Sequence, residues 1–384
     1  MTASLFGDRE PGSPVRICIC GGGSLSHALA AVLGARPWIE VRVLSRQPHR
    51  WSDRIRLIYL DKAELIGRVV QVSADPAAVI PGADLVIVSV PHAARRELLQ
   101  RIAHHLDSEA WLAGFPGFGG FASVVREVFG PARPLLGLQR VPYVRKVVSY
   151  GQVVWVSGIR PELFVATIPA GHAEAACRWL SAMLNIPATA VASYIAVCLT
   201  NSNPIFHPAR LHALWRSAPR DIVWRQRPQF YEDWDDTSSE LYLACDEELQ
   251  AIARALRPDG LGVRSLLEHY RLSRPDQLTP TIRALAALRD RPVPMLATQG
   301  GFTPDVNAYY FTEDVPYGIV LQRAIAELAG VHVPVMDRII AWAQRWMGRN
   351  WLEGGCLSGP DMADLPTPQR AGVTSGEALV RWMS

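Results

Sequence analysis

A glycine-rich turn between a short apolar strand and a helix constrains the fold of this chain more than any other sequence feature. Residues 17–20 are all apolar, as expected of a strand that is buried on both faces. Gly21 and Gly23 follow, and glycine permits a sharp turn and the close approach of a phosphate. Apolar residues recur at helical spacing from Leu25 onward. The strand, turn and helix start therefore predict a pyrophosphate site of the dinucleotide-binding type.

The helix N-terminus supplies the anion-binding groups of this predicted site. Ser24 and Leu25 open the helix, so we expect their backbone N–H groups, with Gly21 and Gly23, to contact the cofactor. Ser26 holds the third position of the fingerprint, where glycine or alanine is usual, and it is small enough to keep helix and strand close. A plain strand–helix turn is the alternative interpretation.

The order of strand and helix patterns predicts an α/β domain followed by an all-α domain. Strands and helices alternate over about 130 residues, which is typical of a Rossmann-like, doubly wound parallel sheet. Beyond residue 189 strand patterns fade and helical stripes dominate. We therefore divide the 384 residues into a flexible segment 1–14, a dinucleotide-binding domain 15–188 and a helical substrate and catalytic domain 189–384.

Some local patterns predict more specific features. Residues 153–157 and 163–167 are predicted as antiparallel strands at the edge of the sheet, and residues 68–73 as one further strand. Segment 353–375 is rich in Gly, Pro and Ser, so we expect it to run over the surface.

The composition excludes several classes of protein. The formal net charge of +3 is dispersed, without a long run of Lys or Arg, which argues against nucleic-acid and membrane partners. The longest apolar runs have the length of strands, so no transmembrane helix is expected, and residues 1–14 lack the apolar core of a secretory signal. The six cysteines include no C-x-x-C pair, so we predict reduced thiols, no metal site and a cytoplasmic location.

The end of the second strand predicts NADP(H) as the favoured cofactor, with NAD(H) left open. A site for NAD usually carries Asp or Glu here to hold the ribose 2′-OH. This chain has Ser45 and Arg46, with Arg50 beyond them, and a hydroxyl and a guanidinium suit a 2′-phosphate. Pro91 and His92 follow a later strand, so we expect them beside the bound cofactor. Solvated residues after a strand are the alternative interpretation.

Two stretches of the helical domain carry candidate catalytic residues. Pro204 and Pro208 bracket His207, which restrains the backbone and holds the imidazole near a helix start. Asp314 precedes Pro316 in a turn that leads into an apolar helix. A carboxylate beside an imidazole fixes its tautomer, as general acid/base catalysis requires. A structural histidine and a helix N-cap aspartate are the alternatives.

Four motifs follow one another over roughly residues 15–350: the glycine turn 21–23, Pro142-Tyr-Val-Arg145, Asn203-Pro-Ile-Phe-His-Pro208 and Thr312-Glu-Asp-Val-Pro-Tyr-Gly318. Their order and spacing resemble the opine dehydrogenase family, of the octopine and nopaline dehydrogenase type, with opine metallophore synthases as further relatives. The resemblance implies a Rossmann-like first domain and an all-helical second domain.

The resemblance also implies a reaction, the reductive condensation of an α-keto acid with the amino group of an amino acid or related amine. Hydride from NAD(P)H reduces the imine to a secondary amine. In this family the histidine of the N-P-x-x-H-P motif is the acid/base, which falls on His207, and its partner carboxylate falls on Asp314. The implied partners are the small-molecule keto acid and amine and, in a homodimer, a second copy of the chain.

One position departs from the family pattern. Relatives carry arginine five residues before the aspartate, where it recognises a substrate carboxylate, and this chain has Tyr309. A phenol cannot form a bidentate cationic clamp, so either Arg145 or Arg210 replaces it or the substrate differs at that end. Asn203 and Tyr309 complete the predicted substrate-binding set. Surface ion pairs are the alternative role of both arginines.

Two other functions fit parts of the sequence. A two-domain reductase of the ketopantoate or hydroxyacid type shares the glycine turn but usually employs a lysine or glutamate near the nicotinamide, and Lys62 and Lys146 are the only lysines. A non-catalytic dinucleotide-binding sensor would have no need for a pair formed by His207 and Asp314. Oxidation of NADPH that depends on both an amine and a keto acid separates the three functions.

Overall fold

A computed structural model describes residues 14–384, and the predicted flexible segment 1–14 lies almost entirely outside the described residues. The described chain forms two compact units. The sheet unit runs to Cys198 and includes residues 383–384, and the helical unit spans Leu199–Trp382.

Strands and helices of the described chain are numbered in chain order. The strands are β1 (Val15–Cys20), β2 (Ile39–Leu44), β3 (Arg54–Tyr59), β4 (Glu64–Arg68), β5 (Gln71–Ser73), β6 (Leu85–Val88), β7 (Trp111–Gly114), β8 (Leu135–Leu138), β9 (Tyr143–Ser149), β10 (Val153–Ile159), β11 (Leu163–Ile168), β12 (Ala188–Ala190), β13 (Met295–Thr298) and β14 (Gly301–Pro304). The α-helices are α1 (Ser24–Gly34), α2 (Pro76–Val79), α3 (Arg95–Ile102), α4 (Phe121–Phe129), α5 (Ala173–Leu184), α6 (Tyr194–Cys198), α7 (Asn203–Trp215), α8 (Asp236–Leu256), α9 (Leu266–Tyr270), α10 (Leu278–Arg283), α11 (Tyr309–Thr312), α12 (Val320–Ala329), α13 (Pro334–Met347) and α14 (Gly376–Trp382).

The main sheet of the sheet unit is the predicted Rossmann-like, doubly wound sheet. Its eight strands have the order β12-β11-β8-β7-β6-β1-β2-β5. The strands from β8 to β5 in this order are parallel, and β11 runs antiparallel to β8. The antiparallel strand predicted at 163–167 is therefore confirmed. The carboxyl ends of β1, β2 and β6 meet at one edge, where open α/β sheets bind their ligands.

A second sheet of four strands has the order β4-β3-β10-β9. The strand predicted at 153–157 belongs here as β10, so its placement in the main sheet is wrong: it pairs in parallel with β3 and antiparallel with β9. The strand predicted at 68–73 is also divided, because β4 lies in this sheet and β5 in the main sheet. The two errors share a cause, since a local pattern indicates a strand without indicating its partner.

Helix α1 packs against both sheets, which explains why its sequence has no polar face. Residues 25–33 are all buried. Gly67 on β4 allows a direct approach, because a Cβ at this position would clash with the carbonyl of Ala31 on α1. A helix that is apolar all round is buried all round. The glycine turn that begins α1 is thereby held between the main sheet and the β9–β10 hairpin.

The helical unit consists of α7 to α14 and one two-stranded hairpin, β13–β14. It begins ten residues after residue 189, where the sequence patterns placed the domain boundary. Segment 353–375 does not run wholly over the surface, because Leu365 and Thr367 within it are buried. Among the described residues, no helix combines the length and the apolar character that crossing a membrane requires.

Candidate functional site

A cavity of about 740 Å³ lies at the carboxyl ends of β1, β2 and β6 in the sheet unit. Its lining comes from the glycine turn, the ends of the three strands, the start of α3 and the β9–β10 turn. The lining residues are Gly21, Gly22, Gly23, Leu44, Ser45, Arg46, Gln47, Ala74, Ser89, Val90, Pro91, Ala94, Glu97, Leu98, Arg101 and Tyr150.

The glycine turn lets other groups come close to its backbone. Gly21 has a φ of 139°, and a Cβ there would clash with the carbonyl of Ser89 and lie 2.9 Å from Ser26 Oγ. A Cβ on Gly23 would meet no atom within 4 Å, so this residue borders open space. Within its described first turn, α1 has neither a side-chain cap nor an acidic residue. The N–H groups that begin α1 are thus available to an anion.

The structure brings together five of the residues that the sequence assigns to the cofactor. Gly21, Gly23, Ser45, Arg46 and Pro91 all line the cavity.

Three other residues assigned to the cofactor, Ser24, Leu25 and His92, are not among the described lining residues. Leu25 is buried under the turn. The ring of His92 turns into the unit, where it packs edge-on against Phe118 at 5.1 Å and fills the space beside Gly119. Burial, with the charge of Arg95, lowers the pKa of His92 well below its usual value. The neutral ring is therefore a packing element.

Ser45 forms the centre of a hydrogen-bonded cluster at the end of β2. Its Oγ accepts from Trp51 Nε1 at 3.1 Å and from the N–H of Gln47 at 3.3 Å. The hydroxyl of Tyr150 lies 3.3 Å away, and the guanidinium of Arg50 stacks on the Tyr150 ring at 4.5 Å. Trp51 and Tyr150 carry no signal in the sequence for this site, because both come from segments outside the dinucleotide fingerprint.

His27 lies directly beneath the turn, with none of its surface exposed. Its Nδ1 is 2.8 Å from the carbonyl of Gly23, and its Nε2 accepts from the N–H of Gly151 at 2.7 Å. The ring stacks on Trp51 with centroids 4.2 Å apart and meets the edge of Tyr150 at 5.1 Å. Burial lowers the pKa of His27. One imidazole thus joins the turn, the Ser45 cluster and the β9–β10 hairpin.

The helical unit contains a second arrangement, in which His207 and Asp314 form a buried pair. His207 Nδ1 lies 2.7 Å from Asp314 Oδ2, and the two side chains are 3% and 5% exposed. Helix α7 begins at Asn203 and carries His207 in its second turn. Within the described part of the chain, the other ring nitrogen, Nε2, has no hydrogen-bond partner.

Asp314 is presented by an irregular turn. Residues Val315–Ile319 form a π-helical turn with Pro316 in its first positions, and the N–H of Ile319 donates to the Asp314 carbonyl at 3.0 Å. The Asp314 side chain makes no cap contact with this turn. Its carboxylate instead contacts the imidazole, and a carboxylate in this position can keep a proton on Nδ1.

Aromatic rings surround the His207 imidazole. Tyr310 meets it edge-on at 4.1 Å, Phe230 at 5.2 Å and Tyr309 at 6.1 Å. Tyr309 is 52% exposed and therefore borders solvent.

The two predicted substrate arginines have different surroundings. Arg210 is 1% exposed, and its guanidinium pairs with Asp235 at 3.1 Å, donates to Ser238 Oγ at 3.0 Å and to the carbonyl of Asp233. Arg145 is half-buried on β9 in the sheet unit, where Nη1 donates to the Tyr143 carbonyl at 2.9 Å.

Two further residues of the helical unit are Asn203 and Arg291. Asn203 is exposed at the first residue of α7. No sequence motif indicates Arg291, whose carbonyl accepts from the N–H of Phe230 at 2.7 Å. The Phe230 ring in turn lies 5.2 Å from the His207 ring. The charge of Arg291 opposes the rise that burial causes in the pKa values of Tyr231 and Tyr310.

Comparison with known proteins identifies relatives of both units. The family described as NAD/NADP octopine/nopaline dehydrogenase, alpha-helical domain, matches residues 190–347. The family described as NAD-dependent glycerol-3-phosphate dehydrogenase N-terminus matches residues 16–116.

Similar proteins extend over nearly the whole chain. Octopine dehydrogenase of Mizuhopecten yessoensis is 29% identical over 95% of this chain and 98% of the relative. An uncharacterized protein of Sinorhizobium fredii is 30% identical over 93% of this chain and its own full length. A solved octopine dehydrogenase in complex with NADH and agmatine has a TM-score of 0.84 at 26% identity, covering 96% of this chain and 98% of that chain. A ketopantoate reductase from Ralstonia eutropha shares the fold, with a TM-score of 0.56 at 17% identity over 87% of this chain and 98% of that chain.

Proposed function

This chain belongs to the opine dehydrogenase family, and we propose that His207 and Asp314 are its acid/base pair. The chain is an NAD(P)-dependent oxidoreductase that joins an α-keto acid to the amino group of an amino acid or related amine and reduces the imine. The observation that carries the proposed roles is the buried 2.7 Å contact between His207 Nδ1 and Asp314 Oδ2. Since Nε2 has no partner in the described chain, it is the atom that exchanges a proton with substrate.

The condensation needs a group that first accepts and then donates a proton. The amine nitrogen loses a proton as it attacks the keto carbon, and His207 Nε2 passes that proton to the oxygen, which becomes a hydroxyl. A second proton, taken up from solvent by Nε2, lets the hydroxyl leave as water, while Asp314 stabilises the imidazolium each time it forms. Loss of water leaves an iminium carbon, and a bound NAD(P)H would supply the hydride that reduces it to the secondary amine.

A matrix of keto acids against amino acids and polyamines tests the reaction. NADPH absorbance is followed in each pair, and the product mass shows whether a secondary amine forms. We expect oxidation of NADPH only where both an amine and a keto acid are present. Reduction of a keto acid without amine would indicate the ketopantoate or hydroxyacid type, and no turnover with any pair would support a dinucleotide sensor.

We propose that NADP(H) is the preferred cofactor, with Arg46 as the residue that selects it. Arg46 is exposed, lines the cavity and has no hydrogen-bond partner in the described chain, whereas the hydroxyl of Ser45 is occupied by Trp51 and Tyr150. A guanidinium at the end of β2 suits a 2′-phosphate, and Ser45 is left to position the strand end. A charge-assisted contact of this kind contributes about 1.5–3 kcal/mol.

Steady-state kinetics of the wild type with NADPH and NADH test the preference. Arg46→Ala should lower kcat/KM for NADPH by about 10- to 100-fold and change the value for NADH little. The matched control is Arg54→Ala, which removes an exposed arginine of β3 that is not among the described lining residues. Equal efficiencies of the wild type with both cofactors would contradict the preference.

We propose that Arg291 takes over the role of the arginine that Tyr309 replaces in this chain. Its support is its position: the Arg291 carbonyl accepts from the N–H of Phe230, whose ring lies 5.2 Å from the His207 ring. Its positive charge also opposes the rise in the pKa of Tyr310, which lies 4.1 Å from the same ring. Arg210 is a weaker candidate, since its guanidinium is buried and paired with Asp235.

Arg291→Met should raise the KM of the keto acid or amino acid by about 10- to 100-fold, as expected when a charge-assisted pair is lost. Arg210→Met should instead lower the unfolding temperature, because Asp235 loses its buried partner. Unchanged KM values for both substrates in Arg291→Met would contradict this role for Arg291 and favour Arg145 as the substrate-binding arginine.

The cytoplasmic location and the homodimer stay predictions from the sequence. The described cysteines form no disulfide, as the expected reduced thiols require. Light scattering coupled to size-exclusion chromatography distinguishes a 42.3 kDa monomer from a dimer.

A further inference from the structure

We propose that His27 is a positioning residue that holds Tyr150 as a wall of the dinucleotide cavity. The inference rests on the proposed use of this cavity for NAD(P)(H). His27 lies in the first turn of α1, outside the glycines of the fingerprint. Tyr150 lies in the turn between β9 and β10 of the second sheet.

The hydrogen bonds of His27 define its protonation state. Nδ1 faces a carbonyl, that of Gly23, and must donate, whereas Nε2 faces the N–H of Gly151 and must accept. Only the neutral tautomer with its proton on Nδ1 satisfies both partners. Burial of the ring also lowers the pKa of His27, which favours the neutral form.

This bridge is one of two hydrogen bonds that hold Gly151 in the β9–β10 turn, since the Gly151 carbonyl also accepts from the N–H of Ser52 at 2.8 Å. Gly151 directly follows Tyr150, so the bond from its N–H to His27 Nε2 fixes the backbone beside the tyrosine. The Tyr150 ring packs on the edge of His27 at 5.1 Å, and its hydroxyl reaches to 3.3 Å from Ser45 Oγ. The same hydroxyl covers Gly22 so closely that a Cβ there would clash with it.

Tyr150 thereby connects the phosphate and ribose ends of the cavity. It lines the cavity together with the glycine turn and Arg46, and its ring carries the guanidinium of Arg50 at 4.5 Å. An aromatic ring fixed at this place presents a rigid, apolar face to a nucleoside. Loss of the bridge to His27 would free the turn and remove that face from the cavity.

Two substitutions of His27 separate the bridge from the rest of the ring. In His27→Asn the short amide still reaches the Gly23 carbonyl but not Gly151. In His27→Gln the longer amide places an oxygen where Nε2 accepts from the Gly151 N–H. The matched control is Val148→Ala, which removes an exposed side chain of the same hairpin.

Calorimetric titration of each variant with NADPH and NADH, without substrates, measures the effect. We expect His27→Asn to raise the Kd of the better-binding cofactor about tenfold, and His27→Gln and Val148→Ala to change it less than about threefold. Hydrogen exchange at the Gly151 amide, followed by NMR without cofactor, should be at least tenfold faster in His27→Asn than in the wild type and near the wild-type rate in His27→Gln.

Tyr150→Ala tests the role of the tyrosine while His27 stays unchanged. It should weaken binding by itself, and adding His27→Asn to it should bring little further loss, because both changes act through the same wall. Equal losses from His27→Asn with and without Tyr150, or unchanged Gly151 exchange in His27→Asn, would overturn the inference. A wild type that binds neither cofactor would instead contradict the proposed function.

Discussion

The surroundings of two buried histidines, one in each unit, differ in what they leave available to a ligand. His27 is 0% exposed and His207 is 3% exposed. The ring of His27 contacts backbone groups through both nitrogens, whereas His207 contacts a carboxylate through Nδ1 and has no described partner at Nε2. The number and charge of the partners, and not burial, therefore distinguish the imidazole that we propose as a positioning residue from the one that we propose as the acid/base.

His207→Ala should give the largest effect of any single substitution, because it removes the proton carrier. We expect kcat to fall by about 10²–10⁴-fold, the usual contribution of general acid/base catalysis, while the Kd of NADPH stays unchanged. The exposed His104→Ala serves as control. If His207→Ala keeps most of its turnover, His207 is not the acid/base, and the proposed difference in role between the two histidines is wrong.

Asp314→Asn should have the next largest effect. An amide keeps the shape of the carboxylate but cannot balance an imidazolium, so kcat should fall by about 10- to 10³-fold, within the range of acid/base contributions. Kinetics beside the exposed Asp276→Asn measure this. Unchanged turnover would show that the carboxylate only packs the π-helical turn.

Another buried imidazole, His212 on α7, tests whether burial among positive charges keeps a histidine neutral. Burial lowers the pKa of His212 to about 4, and the charges of Arg338, Arg216 and Arg345 act in the same direction. In the unfolded chain the His212 imidazole is therefore protonated below about pH 6.5, whereas in the folded chain it stays neutral until the pH falls to about 4.

The stability that neutral His212 contributes is complete above this window and is lost as the pH falls through it. The loss should reach up to about 3 kcal/mol by pH 4. Urea unfolding of wild type and His212→Gln at pH 7.5, 5.5 and 4.5 measures it, with His104→Gln as control. Parallel pH dependences of wild type and His212→Gln would assign the acid lability to other groups.

Gly22→Ala should give the smallest of these effects and sharpens the description of the His27 region. The new Cβ would clash with the hydroxyl of Tyr150, and overpacking of this kind costs about 1–3 kcal/mol. We expect a rise of about 5- to 100-fold in the Kd of NADPH, measured by calorimetry. Tyr150→Phe should restore part of the affinity, and additive effects of the two substitutions would show that they do not meet.

Features set by a single stretch of sequence could be predicted, and features set by partners distant in the chain could not. The strand, turn and start of α1 follow from residues 17–25, because backbone freedom and helical spacing are local properties. The strand at 153–157 is real, but its partners β3 and β9 depend on tertiary packing, so its sheet was assigned wrongly.

The same distinction applies to the sites. Pro204, Pro208 and the Thr312–Gly318 motif point to His207 and Asp314, and the structure brings their side chains to 2.7 Å. Tyr150 and Arg291 carry no local signal, because only the fold brings Tyr150 to the cavity and the Arg291 carbonyl to Phe230. Arg210 is predicted from the sequence as one of two possible substrate contacts, but its guanidinium is buried and pairs with Asp235.

The π-helical turn Val315–Ile319 limits how this segment can diverge among descendants of one ancestor. A regular helix turns about 100° per residue, so deletion of one residue from the turn would swing the Asp314 carboxylate away from His207. Gly318 adds a second restriction, because a Cβ there would lie 2.9 Å from Pro204 at the start of α7. Most exchanges of side chains in the turn would leave the spacing of the pair intact, whereas a gain or loss of one residue would not. A change of chain length in this segment therefore disturbs the pair more than most changes of composition.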